Sequence, residues 1–96
     1  MSGAATVAAP RDAVRIDRLL WMLRLTKTRG AAQDLVGKGH VRINGRRVIR
    51  CAQPVAAGDV MTMPHGAAVR VIELITLPAR RGPVAEARAC YRLIAS

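Results

Sequence analysis

The sequence predicts an α+β domain in which two short helices are followed by strands and a closing helix. Three observations carry that expectation. An apolar stripe of helical period lies near the start, an Asn-Gly pair sits between alternating segments, and β-branched runs bounded by turn residues follow.

Ile16, Leu19, Leu20 and Leu23 fall at i, i+3, i+4 and i+7, which predicts a helix from Ile16 to Leu25. Trp21 and Leu25 point away from that stripe, so this helix is expected to bury a second side. Asp17 is placed to cap free N–H groups or to favour the helix dipole. Thr28 has the chemistry of an N-cap for a second helix, whose apolar side is Ala32, Leu35 and Val36. Gly39, directly after Lys38, suits a left-handed C-terminal cap. The link between the two helices is therefore very tight.

Val41, Arg42 and Ile43 alternate as a strand does. Asn44-Gly45 is a strong hairpin signal because both residues tolerate positive φ, and Arg46, Arg47 and Val48 begin the return strand. Gln53-Pro54 and Ala57-Gly58-Asp59 read as turns. Val60 to Met63 and Val69 to Leu74 read as strands joined around His65-Gly66. Pro83 fits the first turn of a last helix, on which Val84, Ala87, Tyr91 and Ile94 would share a face. The expected organisation is a disordered tail over 1–13, one domain over 14–78 and a helical extension over 79–96.

Charge narrows the partners. The chain has 16 Lys and Arg against 6 Asp and Glu, a net charge of +10. Ten of those basic residues lie between Arg15 and Arg50, opposed there only by Asp17 and Asp34. A solubilising surface would mix signs with less self-repulsion, so a polyanionic partner is expected. No apolar run reaches the roughly 18 residues that span a bilayer. Met1 to Pro10 lacks the basic start and apolar run of a signal peptide, and the expected location is the cytoplasm. Cys51 and Cys90 are expected as reduced packing residues, with neither a metal nor a cofactor.

Arginine presents a planar fork of donors that matches phosphate oxygens, and lysine offers a point charge. The basic residues gather at the start of the first helix, at Lys27-Thr28-Arg29 and on the first hairpin. The Lys27–Arg29 junction also sits at a helix N-terminus, where free N–H groups add to phosphate binding. With no Phe, one Trp and one Tyr, the chain lacks aromatic platforms for stacking single-stranded bases. Structured nucleic acid, read through backbone and shape, fits better. Trp21 is expected in the core, and Asn44 as a turn residue in preference to a reader of bases.

At this point the residues resemble a family. Arg15-Ile16-Asp17-Arg18-Leu19-Leu20, then Lys27-Thr28-Arg29-Gly30-Ala31-Ala32, then Gly39-His40-Val41-Arg42-Ile43-Asn44-Gly45, and finally Gly58-Asp59 are similar to the ordered motifs of the S4 RNA-binding domain. Trp21, Arg24, the Lys-Thr-Arg junction and Arg80-Arg81-Gly82-Pro83-Val84-Ala85-Glu86-Ala87 resemble the heat-shock protein 15 group, with Gly82 as an insertion. The long charged C-terminal tail of that group's better-known members is not matched.

The resemblance implies two helices packed on a small, mostly antiparallel sheet, the S4-like alpha-L motif. It implies binding to ribosomal RNA and, for this group, to a large ribosomal subunit still holding peptidyl-tRNA, which makes tRNA a further partner. By family position, Arg15, Arg18, Lys27, Thr28, Arg29, Lys38, Arg42 and Arg46 would face RNA, with Asp17 a cap and not a contact.

Three other readings compete. Catalysis is not expected, because His40 and His65 are isolated and Asp59 lies in a turn with no visible acid–base partner. The two helices could mimic a DNA-binding helix-turn-helix, but Ala31, Ala32, Asp34 and Gly37 are a poor set for base edges. Membrane-surface binding would need one continuous amphipathic face, which the helix and hairpin signals interrupt. A monomer is expected.

Overall fold

The structure, a computed structural model, describes residues 12–95. Residues 1–11 of the expected tail lie outside the described residues. The order is β1 (Val14–Arg15), α1 (Ile16–Met22), α2 (Arg29–Gly37), β2 (Val41–Ile43), β3 (Arg46–Val48), β4 (Pro54–Val55), β5 (Val60–His65), β6 (Ala68–Leu74), α3 (Val84–Arg88) and β7 (Tyr91–Ala95). Strands β3-β2-β5-β6-β7 form one antiparallel sheet, and β1 pairs with β4.

The apolar stripe of α1 does what its period requires. Ile16, Leu19, Leu20 and Leu23 are buried with Ala32 and Val36 of α2 and with Val41, Met61, Ile72 and Leu74 of the sheet. Alternation along the strands supplies the other half of this core, since residues two apart share a face. At about 25 cal/mol per Å² of apolar surface, each of the Val, Leu, Ile and Met side chains stabilises the fold by about 1.5–3 kcal/mol.

Helix α1 stops at Met22, three residues short of the expectation. Arg24 takes φ 60°. Leu25 N–H then donates to Leu20 O (2.9 Å) and Arg24 N–H to Trp21 O (3.0 Å), the paired bonds of a Schellman cap. Helix α2 ends the same way, with Gly39 at φ 79° and His40 N–H reaching Leu35 O (3.3 Å). The glycine advertises the second stop. An arginine in the left-handed region leaves no comparable mark for the first.

The Asn44-Gly45 turn is confirmed with both residues at positive φ, 51° and 83°. The C-terminal extension differs from the expectation. Only Val84–Arg88 is helical, and Tyr91–Ala95 is a strand on the edge of β6. Ile75 and Thr76 N–H groups both donate to Cys90 O (2.7 and 3.1 Å), so the chain leaves α3 already tied to the end of β6. The free backbone groups along β6 then favour a strand over another helical turn. Tyr91 and Leu93 pair with Leu74 and Ile72.

Candidate nucleic-acid interface

The basic segment is organised by one buried carboxylate. Asp17, in the first turn of α1, is fully buried. Its Oδ1 accepts from Arg15 Nε (3.0 Å) and from the Arg18 amide (2.8 Å). Its Oδ2 accepts from Arg15 Nη2 (3.1 Å) and from Gln33 Nε2 on α2 (3.0 Å), and Arg29 Nε lies 3.5 Å away. Burial alone would raise this carboxyl. Hydrogen bonds from Arg15, Gln33 and the Arg18 amide, with the charge of Arg29, hold it below the ordinary carboxylate range.

Asp17 accepts one free first-turn N–H, as expected of a cap, but the N-cap position is Arg15. Its larger effect is to gather two arginines. Arg15 and Arg29 remain 48% and 43% exposed, so each guanidinium keeps donors facing solvent. The loop after β3 closes the same corner from below. Ile16 N–H donates to Gln53 O (2.8 Å), and Cys51 Sγ lies 3.5 Å from Gln33 O.

Beside this pair, Thr28 caps α2, its Oγ1 accepting from Ala31 N–H at 3.0 Å. Thr26 Oγ1 donates to Thr28 O (3.0 Å) and fixes the loop that carries the exposed Lys27. Arg18 is exposed on α1. Arg15, Arg18, Lys27 and Arg29 thus lie around the starts of the two helices.

Lys38 is not in that group. It closes the far end of α2, nine residues or about 13 Å from Arg29, and pairs with Asp34 at 3.0 Å. The next residue, Gly39, lies under Arg47 of the hairpin. Arg42 lies directly across from Arg47, while Arg46 lies across from Ile43. Sheet alternation therefore puts Arg42 and Arg47 on one face and Arg46 on the other. The family pattern, read along the chain, joins Arg42 to Arg46 and omits Arg47. The register of the Asn44-Gly45 turn was the signal that could have found it. Arg47 also runs over Gly39, its Cδ 3.2 Å from where a Cβ would stand.

Asn44 is a structural residue. Its Oδ1 accepts from Val60 N–H (2.9 Å), and its Nδ2 donates to Asp59 Oδ1 (3.1 Å). Asp59 Oδ2 accepts from Ala56 N–H (2.9 Å), which joins the Asn-Gly and Gly-Asp motifs into one turn assembly.

Sequence reasoning also missed how the Arg80–Pro83 segment seals α1. Arg81 Nε donates to Trp21 O (3.1 Å), and its guanidinium lies 5.4 Å from the Trp21 ring centroid. Arg24 Nε donates back to Gly82 O (2.6 Å). Arg80 pairs with Glu86 (3.0 Å), which lowers the Glu86 carboxyl. Trp21, expected in the core, is instead half-buried and outside the buried core cluster, its ring under the Arg81 guanidinium. Among the described residues, no three His, Cys, Asp or Glu side chains gather as a metal would need, and no helix is long and apolar enough to cross a membrane.

Three comparisons bear on this arrangement. A family model described as S4 domain matches residues 14–61. Heat shock protein 15 of Escherichia coli (strain K12) is 30% identical over 82 residues, 85% of this chain and 61% of that protein. Small ribosomal subunit protein uS4 of Opitutus terrae is 38% identical over 56 residues, 58% of this chain and 28% of that protein. The chain thus spans less than two thirds of these relatives' own length. The solved structure described as trimeric Vibrio cholerae heat shock protein 15 superposes with a TM-score of 0.82 at 32% identity, covering 88% of this chain and 84% of that one.

Proposed function

This chain belongs to the S4 domain family, and from that premise we propose that it is a non-catalytic protein binding structured ribosomal RNA through its basic surface. The observation that carries the proposal is the Asp17 corner. One buried carboxylate fixes two arginines while leaving their outer donors to solvent, beside a capped helix N-terminus. Holding long side chains in place before binding lowers the entropic cost of ordering them. RNA phosphates are the anions that such a spread of forks suits.

In this proposal Arg15, Arg18, Lys27 and Arg29 contact one stretch of phosphates, with Thr28 shaping the junction between them. Lys38, Arg42 and Arg47 contact a second stretch, and Arg46 flanks it from the opposite face. The opposition of Arg42 and Arg47 supports this second contact. Like charges directly across a strand pair are destabilising, and a bound polyanion relieves that repulsion.

The likeness to heat shock protein 15 supports a finer proposal. The chain acts in the cytoplasm on the large ribosomal subunit, on stalled subunits that carry peptidyl-tRNA. Domain limits of 14–78 with an extension over 79–96 belong to the same proposal, the extension completing the sheet.

The test is competition and sedimentation. Bound ribosomal RNA should resist competition by duplex DNA, and log affinity should fall with log salt at about −0.9 per phosphate on a duplex. In a gradient of cell extract the protein should travel with the large subunit. Equal displacement by DNA would overturn RNA selectivity in favour of a general nucleic-acid regulator. Protein left at the top of the gradient would overturn the ribosomal assignment.

A further inference from the structure

Behind the α1–α2 junction the chain forms a second basic feature that the proposed interface does not use. Two adjoining depressions share Arg70, Arg88 and Tyr91, and Leu25, Val84 and Leu93 supply apolar walls. Arg70 projects from β6 on the same side as Ile72 and Leu74, beyond the cover that the helices give those two.

Arg70 is unusual among the described residues. Its Nη2 donates to His65 Nε2 (2.7 Å), but its Nε is buried without a hydrogen-bond partner. A buried donor left unpaired is unfavourable, so an acceptor brought to this guanidinium gains more than one at a solvated arginine. Arg88 is exposed at the end of α3, with no ion pair among the described residues, and Tyr91 is half-buried against the core. Nε and one Nη share an edge of the guanidinium, the edge with which arginine meets an anion.

The ligand must therefore combine an anionic group with a flat, partly apolar one. Leu25, a wall of the groove, stands two residues before Lys27, so the groove adjoins in the chain the basic junction at the helix starts. We propose that this groove binds a single unpaired nucleotide of RNA, its phosphate on Arg70 and Arg88 and its base against Tyr91 and the apolar walls. The inference rests on the RNA-binding role proposed above. It adds a pocket for a nucleotide leaving a duplex, where base packing on an aromatic ring supplements phosphate contact.

The test is a nuclear magnetic resonance titration of the full chain with adenosine 5′-monophosphate. Parallel arms use adenosine, inorganic phosphate and tetraglutamate. The nucleotide should shift the Arg70 Nε–H signal and the amides of Arg88 and Tyr91, and bind at least tenfold more tightly than adenosine or phosphate. Arg70→Ala and Arg88→Ala should each weaken it severalfold, with Arg70→Lys intermediate. Shifts confined to residues 27–29 or 42–47 would overturn the site. Phosphate binding as well as the nucleotide would reduce it to an anion site, and tighter tetraglutamate binding would make it a peptide site; either result overturns the proposal. Mapping on the unaltered protein decides the matter even if a variant fails to fold. Lys27→Ala separates the two proposals. It should weaken ribosomal RNA binding and leave the mononucleotide shifts unchanged, so loss of one without the other shows which has failed.

Discussion

Asp17 on α1 and Gln33 on α2 are joined by a 3.0 Å hydrogen bond, with the carboxylate fully buried and two arginines on its remaining lone pairs. The helix pair and the arginines are therefore held by the same group. Asp17→Ala should destabilise the fold by about 2 kcal/mol, the cost of leaving buried partners unmatched. The share from the half-exposed arginines is reduced by solvent screening. Urea denaturation at pH 7 measures it. Ribosomal RNA affinity of the folded variant should also fall, because Arg15 and Arg29 lose their anchor.

The same carboxylate sets an acid limit. Its folded pKa lies below the unfolded value of about 3.9, so the unfolded state binds more protons and stability rises with pH there. The contribution is full above the unfolded value and is lost as pH falls through the folded one. Denaturation curves at pH 7 and pH 3 should show the gap between the native chain and Asp17→Asn narrowing in acid. A gap of constant size would mean that Asp17 is not ionised in the fold.

Lys27 is the cleanest test of phosphate contact, since its side chain is exposed on a loop fixed by Thr26 and Thr28. Lys27→Ala should leave the circular dichroism spectrum unchanged. It should make the salt slope of duplex RNA binding shallower by about 1. Arg29→Ala should do the same and also cost some stability through Asp17. An unchanged slope for Lys27→Ala would remove that residue from the interface.

Asn44→Ala should cost about 1–2 kcal/mol. It removes two side-chain hydrogen bonds and puts alanine at φ 51°. Asn44→Gly should recover the backbone part only. At a protein concentration and temperature where each variant is folded, RNA affinity should stay within about twofold, or about 0.4 kcal/mol. A selective loss of affinity would make Asn44 a contact.

Arg81→Ala should destabilise by about 1–2 kcal/mol, from a cation–π contact and a bond to the Trp21 carbonyl. Trp21 fluorescence should shift to the red as water reaches the indole. Arg81→Lys should fall short of rescue, because ammonium lacks the planar face.

The sequence made some elements legible because their signals are local. Thr28, Gly39 and Asn44-Gly45 each state a backbone requirement within a few residues, and the structure meets all three. What stayed hidden depends on distance or register. Arg81 meets Trp21 across 60 residues, and nothing in either neighbourhood announces the other. Strand β7 went unseen because Val84, Ala87, Tyr91 and Ile94 keep helical spacing, while the pairing edge that overrides it belongs to β6. In the candidate interface, motif order picks out the residues that the structure gathers around Asp17, while the opposite faces of Arg42 and Arg46 are visible only in the cross-strand register.

The seal between Arg81, Gly82 and the end of α1 has a consequence for synthesis. Trp21 and Arg24 leave the ribosomal tunnel about sixty residues ahead of the groups that complete their surroundings. During translation the end of the first helix therefore waits, Trp21 partly uncovered, until Arg81 and Gly82 emerge. Contacts so far apart in the chain form late, so closure of residues 81–82 over the end of α1 is a late step in the folding of this chain.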